Sequence, residues 1–189
     1  MRIKGGVEIP LSFLFVDVRG STPLGEQLGP RGLHDLMDRF YQVGTASLIE
    51  HDALIDRFMG DQVVGYFVPG FAGPEHARKA IGCALDILRA TGHADAPWVP
   101  VGAGVHTGNA FVGAVGKAGD GDMVEFTAIG DSVNIAARLA SVAQTGDVVV
   151  SEEAFSAADA REDAEQRELT LKGVSTPVKV RVLRIDPTP

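Results

Sequence analysis

The feature that most constrains the fold is an almost unbroken apolar run near the start of the chain, at residues 11–18. Such a run, rich in Phe, Leu and Val, is typical of a central strand that is buried on both faces. Asp17 interrupts the run near its end, where an unpaired charge would be costly to desolvate. The sequence therefore predicts a covered sheet in which Asp17 has a partner.

Helix-like and strand-like segments alternate along the rest of the chain. Apolar residues at three- and four-residue spacing predict a helix that ends near His51 and a second helix over residues 74–90, while Gly130 and Asp131 open a third over residues 132–142. A short helix is expected between residues 150 and 168, and the charged, alanine-rich segment 154–166 is interpreted as an exposed helix. Residues 53–58 and 63–68 are predicted to form a hairpin with Asp61 at its tip, and residues 101–106 and 110–115 another strand pair. The remaining predicted strands are residues 124–129, 148–150, 168–171 and 178–185.

Because hairpins occur among the alternating helices and strands, we predict an α/β sandwich with a mixed, largely antiparallel sheet that is flanked by helices. The 189 residues and the 45% hydrophobic content suffice for one domain with a substantial core. We predict this domain over residues 11–186, after a lead-in of residues 1–10 and before a tail of residues 187–189.

The charge balance limits the partners of the chain. The 17 Lys and Arg residues stand against 25 Asp and Glu, and the net charge of -8 argues against nucleic acid or an anionic membrane surface as a partner. The single cysteine, Cys83, excludes a disulfide or a Cys-based zinc site within one chain. Because neither a signal peptide nor 18 consecutive apolar residues occur, we expect a cytoplasmic chain without membrane insertion. A missing regulatory part of a longer protein is an open alternative.

Glycine-rich phosphate loops and zinc sites do not fit the sequence. Gly116-Lys117 lacks the upstream glycine of a Walker loop, where Phe111 stands, and Ala118 replaces the following Ser or Thr. The five histidines include no pair with zinc-ligand spacing.

Two carboxylates are the best candidates for chemistry. Asp17 ends the buried strand, and Asp61 lies at a glycine-containing hairpin tip that should adjoin it in the same sheet. Carboxylates that converge at strand ends suit magnesium, which prefers oxygen ligands and retains water or phosphate oxygens. In the alternative interpretation, Asp17 only caps the following helix and Asp61 only makes an Asx turn.

Four ordered motifs make the pattern specific. They are residues 15–22 (FVDVRGST), 57–61 (RFMGD), 130–138 (GDSVNIAAR) and 171–173 (LKG), and residues 104–108 (GVHTG) lie between them. Together they resemble the motif set of class III adenylyl and guanylyl cyclases across residues 11–185. The resemblance implies a ferredoxin-like, palm-like core that converts a nucleoside triphosphate to its 3',5'-cyclic monophosphate and pyrophosphate.

The resemblance also implies two Mg²⁺ or Mn²⁺ ions in each active site, held by Asp17, Val18 and Asp61. One ion would lower the pKa of the ribose 3'-hydroxyl, and the other would hold the triphosphate. Asn134 would orient the ribose, and Arg138, one helical turn later, would meet the charge of the transition state. Further contacts to the triphosphate are implied for Lys172, Gly20, Ser21 and Thr22.

Arg57 and Thr127 occupy the positions that read the base in the family. Arginine departs from the family's lysine; it can donate to adenine N1 or guanine O6 but cannot accept the protons of guanine N1 and N2. This favours ATP over GTP, or indicates relaxed base choice. A catalytically degenerate, cyclase-like module that binds nucleotide or a partner is the alternative function. A diguanylate cyclase is disfavoured, because the Gly-Gly-Asp/Glu-Glu-Phe run is absent.

A homodimer is implied as well. In the family, metal carboxylates come from one chain and the Asn/Arg pair from the other, which allows two equivalent sites in a symmetric dimer. The glycine-rich segment 113–122, which leads into residues 123–127, is either an arm around the partner or a hairpin loop.

Overall fold

The computed structural model describes residues 6–56, 60–115, 125–161 and 164–185. These residues form one sheet of eight strands together with five helices. The strands are β1 (Gly6–Val18), β2 (Leu54–Ile55), β3 (Gln62–Phe67), β4 (Val101–Val115), β5 (Glu125–Ile129), β6 (Val148–Ser151), β7 (Glu165–Leu169) and β8 (Val178–Leu183). The helices are α1 (Ser21–Glu50), α2 (Pro69–Ala72), α3 (His76–Ala90), α4 (Asp131–Val142) and α5 (Glu152–Ala157).

Strand β1 lies in the middle of the sheet. The strand order is β2-β3-β1-β4-β6-β8-β7, and β5 pairs with the C-terminal part of β4. All pairs are antiparallel except β4 with β6. The predicted mixed, largely antiparallel sheet and its central strand are therefore confirmed. The strand starts at Gly6, earlier than its apolar run, because its first residues continue the pairing with β4 as far as Gly113.

Helices cover both faces of the sheet. Phe40 of α1 and Ile87 of α3 pack with Val16 of β1 in one core cluster. Ala136 of α4 packs with Phe13 in a second cluster on the opposite face. This division follows from the two-residue period of a strand, which sends neighbouring side chains of β1 to opposite faces.

The prediction of two strands at residues 101–106 and 110–115 was wrong. The structure has a single strand of 15 residues there, β4. A glycine between two β-rich runs favours a turn, but Gly108 serves a close contact instead. A Cβ at Gly108 would lie 2.4 Å from the Oγ of Ser132 in α4, so glycine is needed where the helix approaches the strand.

Three smaller differences concern helices. Helix α1 begins at Ser21, well before the apolar spacing becomes regular, and it is interrupted at Gly29, whose φ is 69°. Helix α2 has only four residues, too few to show a period. The segment 154–166 is not one exposed helix, because α5 ends at Ala157 and β7 begins at Glu165. A charged edge strand such as β7 lacks the apolar alternation that sequence patterns depend on.

No helix within the described ranges is both long and apolar enough to cross a membrane.

Candidate active site

Asp17 and Asp61 lie at adjoining positions at one end of the sheet. Strands β1 and β3 run antiparallel with Asp17 opposite Gln62, and the amide of Val18 donates to the carbonyl of Asp61 at 3.0 Å. The N–H and C=O of one strand residue point to the same side, so the Val18 carbonyl is directed toward Asp61 as well. The structure thus brings together the three residues for which a metal-binding role is predicted.

Two donors hold the Asp17 carboxylate. Its Oδ2 lies 2.5 Å from Nη2 of Arg19 and accepts a hydrogen bond from Nε2 of Gln62 at 3.0 Å. The Asp17 side chain is only 14% exposed, so its charge depends on such partners. Through Nη1, the same guanidinium donates to the carbonyls of Ser141 at 3.1 Å and Ala143 at 3.4 Å, at the C-terminal end of α4.

Helix α1 holds Asp61 and the turn before it. The hydroxyl of Ser21 donates to Oδ2 of Asp61 at 2.5 Å. The hydroxyl of Tyr41, further along the same helix, donates to the carbonyl of Gly60. Burial and the nearby charge of Asp61 raise the pKa of Tyr41, so its hydroxyl stays protonated and keeps this donor role at neutral pH.

The start of α1 offers backbone donors beside these carboxylates. Gly20 takes the left-handed conformation, with φ 66° and ψ 35°, and within the described ranges no side chain caps the helix after it. The first N–H groups of a helix lack intrahelical acceptors, and they lie at the positive end of its dipole. Ser21 and Thr22 carry two of these groups, so the turn is suited to an anion.

A second group of polar residues lies on α4 and the loop that follows β7. Asn134 is exposed and Arg138 is half-buried, one turn apart, whereas Ala136 between them is buried against the sheet. A Cβ built on Gly173 would lie 3.4 Å from Nη2 of Arg138, so the guanidinium rests against the turn formed by Lys172 and Gly173. The structure thus brings Arg138 next to the Lys172 turn.

The two groups are separate within one chain. Among the described residues, no hydrogen bond or ion pair joins Asn134, Arg138 or Lys172 to Asp17 or Asp61.

The positions predicted to read the base are only partly described. Thr127 is half-buried in β5, opposite Gly113 of β4. Arg57 lies outside the described residues, and so do residues 116–124 of the predicted dimer arm.

The motifs and the fold agree with one protein family. The sequence model of the family described as the adenylate and guanylate cyclase catalytic domain matches residues 8–182 of the chain. The chain belongs to this family.

Curated relatives of the cyclase domain are longer proteins. The domain is 30% identical over 181 residues to an uncharacterised protein of Mycobacterium tuberculosis, covering 93% of this chain and 33% of that protein. It is 31% identical over 133 residues to adenylate cyclase 1 of Rhizobium meliloti, covering 67% of this chain and 20% of the relative. The chain thus spans a third or less of the length of these relatives.

Solved structures share the whole fold of the cyclase domain. The guanylyl cyclase Cya2 superposes with a TM-score of 0.84 at 26% identity, covering 98% of this chain and 97% of that one. The adenylyl cyclase CyaB from P. aeruginosa gives a TM-score of 0.79 at 26% identity, covering 95% and 96%. Cyclases named for either nucleotide therefore have this architecture.

Three residues of the cyclase domain site were not found from the sequence. Gln62 could be found only through the register that places it opposite Asp17. Tyr41 lies within the amphipathic helix pattern, where its hydroxyl gives no separate signal. Arg19 lies inside the first motif, so its position was a usable signal for an ion pair with Asp17.

Proposed function

We propose that the cyclase domain converts ATP to cyclic 3',5'-AMP and pyrophosphate, as a signalling reaction in the cytoplasm, with Mg²⁺ or Mn²⁺ as cofactor. The observation that carries the proposal is that Asp17 and Asp61 lie at adjoining positions, where β1 ends and β3 begins, beside the start of α1. Adenylate cyclases of Rhizobium meliloti and Anabaena cylindrica among the relatives support this reaction.

The residues at this end of the sheet fit a pair of hard divalent cations. Among the described residues, no group of three or more His, Cys, Asp or Glu side chains is arranged for a metal. Asp17, Asp61 and the Val18 carbonyl would therefore hold the ions together with substrate and water oxygens, a ligand set that suits Mg²⁺. When bound, the ions supply the Lewis acidity that lowers the pKa of the ribose 3'-hydroxyl and offsets the triphosphate charge.

The triphosphate would lie at the start of α1. Gly20 has no side chain to block the approach of phosphate oxygens, and the N–H groups of Ser21 and Thr22 would donate to them. Lys172, exposed on its turn, would add a point charge at the terminal phosphates.

Asn134 and Arg138 would act at the reacting atoms. The ribose 3'-hydroxyl gives up its proton to solvent water and its oxygen attacks the α-phosphorus. The bond from that phosphorus to the pyrophosphate oxygen breaks, and pyrophosphate leaves with the electron pair. Asn134 would donate and accept hydrogen bonds that orient the ribose. The fork of Arg138 would stabilise the negative charge that develops on the equatorial phosphate oxygens.

The residues at the two predicted base-reading positions support ATP as the substrate. Arg57 can donate to adenine N1, and Thr127 can accept from the exocyclic amine of adenine or donate to a ring nitrogen. No atom of the arginine side chain can accept the protons that guanine presents at N1 and N2. The single hydroxyl of Thr127 cannot accept all of them, so GTP would leave at least one of these protons unpaired.

The separation of the two polar groups within one chain supports a homodimer. Asp17 and Asp61 of one protomer would meet Asn134, Arg138 and Lys172 of its partner at the interface. The symmetry of such a dimer gives two equivalent sites.

The decisive test is a product assay on the purified chain. ATP and GTP are each incubated with Mg²⁺ and with Mn²⁺, and the products are identified by chromatography and mass spectrometry. We expect cyclic AMP and pyrophosphate in equal amounts. In Asp61→Asn, we expect kcat/KM to fall on the order of a thousandfold, because the amide keeps an acceptor for Ser21 but loses the metal-binding charge.

Asp95→Asn is the matched control, because Asp95 is exposed on the loop after α3. Full activity of Asp61→Asn would remove Asp61 from the mechanism. Nucleotide binding and dimer formation without any cyclic product would favour the degenerate module, a candidate that Arg57 in place of lysine supports.

A further inference from the structure

Arg19 joins the Asp17 carboxylate to the helix that carries Asn134 and Arg138. One guanidinium nitrogen lies 2.5 Å from Oδ2 of Asp17, and another donates to the carbonyls of Ser141 and Ala143. The arginine side chain is 21% exposed, and its hydrogen bond to Ser141 lies at the surface. Charge-assisted contacts of this kind hold a guanidinium in place.

The end of α4 has no cation of its own. The last turn of the helix contains no basic residue, although its final carbonyls form the negative end of the helix dipole. Arg19, which follows β1, supplies the positive charge at this end. The same charge faces Asp17 on one side and α4 on the other.

The guanidinium is nonetheless incompletely satisfied. Its Nε is buried and has no hydrogen-bond partner among the described residues. A buried N–H without an acceptor is unfavourable, so part of what Arg19 gains from Asp17 and α4 is offset. A divalent ion at Asp17 would therefore compete with a guanidinium whose placement already leaves one buried N–H without an acceptor.

We propose that Arg19 is the built-in counter-cation of Asp17 and weakens the binding of divalent ions to the nucleotide-free domain. This inference rests on the metal site of the proposed cyclase function. Arg19 and a divalent ion would share one carboxylate, and two positive charges at such short range repel each other. Arg19 would thus hold Asp17 in an ion pair until the metal binds together with the anionic triphosphate. The negative charge of the triphosphate would offset the repulsion between Arg19 and the metal.

The test measures Mn²⁺ binding to the nucleotide-free chain by electron paramagnetic resonance, which needs no turnover. We expect Arg19→Gln to bind Mn²⁺ about tenfold more tightly than the wild type, since the competing charge is gone. Arg19→Lys keeps the charge and should stay within about threefold of the wild type. Arg19→Met is the second neutral variant, and circular dichroism checks the fold of each.

Arg181→Met is the matched control. Arg181 is also 21% exposed and pairs with Glu152, away from Asp17, so this variant makes the same change in net charge. Its Mn²⁺ affinity should equal that of the wild type. Unchanged or weaker Mn²⁺ binding in the folded neutral variants of Arg19 would overturn the inference.

Asp17→Asn separates the two proposals. If Asp17→Asn leaves Mn²⁺ binding unchanged, the metal site itself is wrong and the proposed function fails with it. If Asp17→Asn weakens Mn²⁺ binding while Arg19→Gln does not strengthen it, only the role given to Arg19 fails.

Discussion

At the scale of single residues, the placement of Arg138 depends on a glycine. Gly173 has a φ of 77°, in the left-handed region that residues with a Cβ rarely adopt. A Cβ there would also lie 3.4 Å from Nη2 of Arg138, in van der Waals contact with the guanidinium. The LKG motif therefore combines Lys172, for which phosphate binding is proposed, with a glycine turn against which the arginine rests.

We expect Gly173→Ala to lose about 1–2 kcal/mol of unfolding free energy because of the left-handed backbone. We also expect kcat to fall several-fold, because a displaced Arg138 stabilises the transition state less well. Thermal unfolding and steady-state kinetics measure the two effects separately.

Gly73→Ala is the control for backbone strain alone. Gly73 has a φ of 78° and a ψ of -172°, and no atom of the described residues lies within 4 Å of its Cβ position. It should also lose stability from backbone strain, and it should keep the wild-type kcat. A kcat that falls equally in both variants would show that instability, not Arg138, limits turnover.

At the scale of elements, the close packing of α4 on the sheet depends on a residue of β4 that has no side chain. A Cβ on Gly104 of β4 would lie 2.2 Å from the amide nitrogen of Ala140 and 2.6 Å from the carbonyl oxygen of Ala136. Both atoms belong to the backbone of α4, so no side-chain rotation can relieve the contact. The helix that carries Asn134 and Arg138 can lie where it does only if residue 104 is glycine.

We therefore expect Gly104→Ala to lose about 2–4 kcal/mol of unfolding free energy, because α4 must shift away from β4. Chemical denaturation measures the loss. Gly70→Ala is the matched control, since no part of the chain that the structure describes lies within 4 Å of its Cβ position, and it should be neutral or slightly stabilising. Equal unfolding free energies of the two variants would contradict the close packing of α4 against β4.

Elements with a strong hydrophobic period could be predicted from the sequence, and elements shaped by neighbours could not. Strand β1 follows from its apolar run and helix α3 from its apolar spacing, while Gly130 and Asp131 mark the start of α4. Strand β4 was misread because a glycine required by a neighbouring helix has the same sequence signal as a glycine in a turn. Asp17 and Asp61 could be chosen because a strand end and a hairpin tip fix their places, whereas the contacts of Arg19 depend on how α4 packs.

At the scale of the whole molecule, the two polar groups divide the chemistry between different parts of the chain. Asp17 and Asp61 lie where β1 ends and β3 begins, whereas Arg138 lies against the Lys172 turn. If each site of a homodimer takes one group from each protomer, a chain that lacks one group can still complete a partner that lacks the other.

This arrangement predicts recovery of activity when two inactive variants are mixed. Asp61→Asn and Arg138→Met are each expected to be inactive alone. In an equal mixture of exchanging chains, about half of the dimers are mixed, and one of the two sites in each mixed dimer is intact. Activity should therefore return to about a quarter of the wild type.

A mixture of Asp61→Asn with Asp17→Asn is the control. Each chain then lacks one carboxylate of its own pair, so no site is complete and no activity should return. Activity is measured as cyclic nucleotide formed, and dimer exchange is checked with differently tagged chains. Failure of the first mixture, despite proven exchange, would mean that the two groups do not combine across protomers.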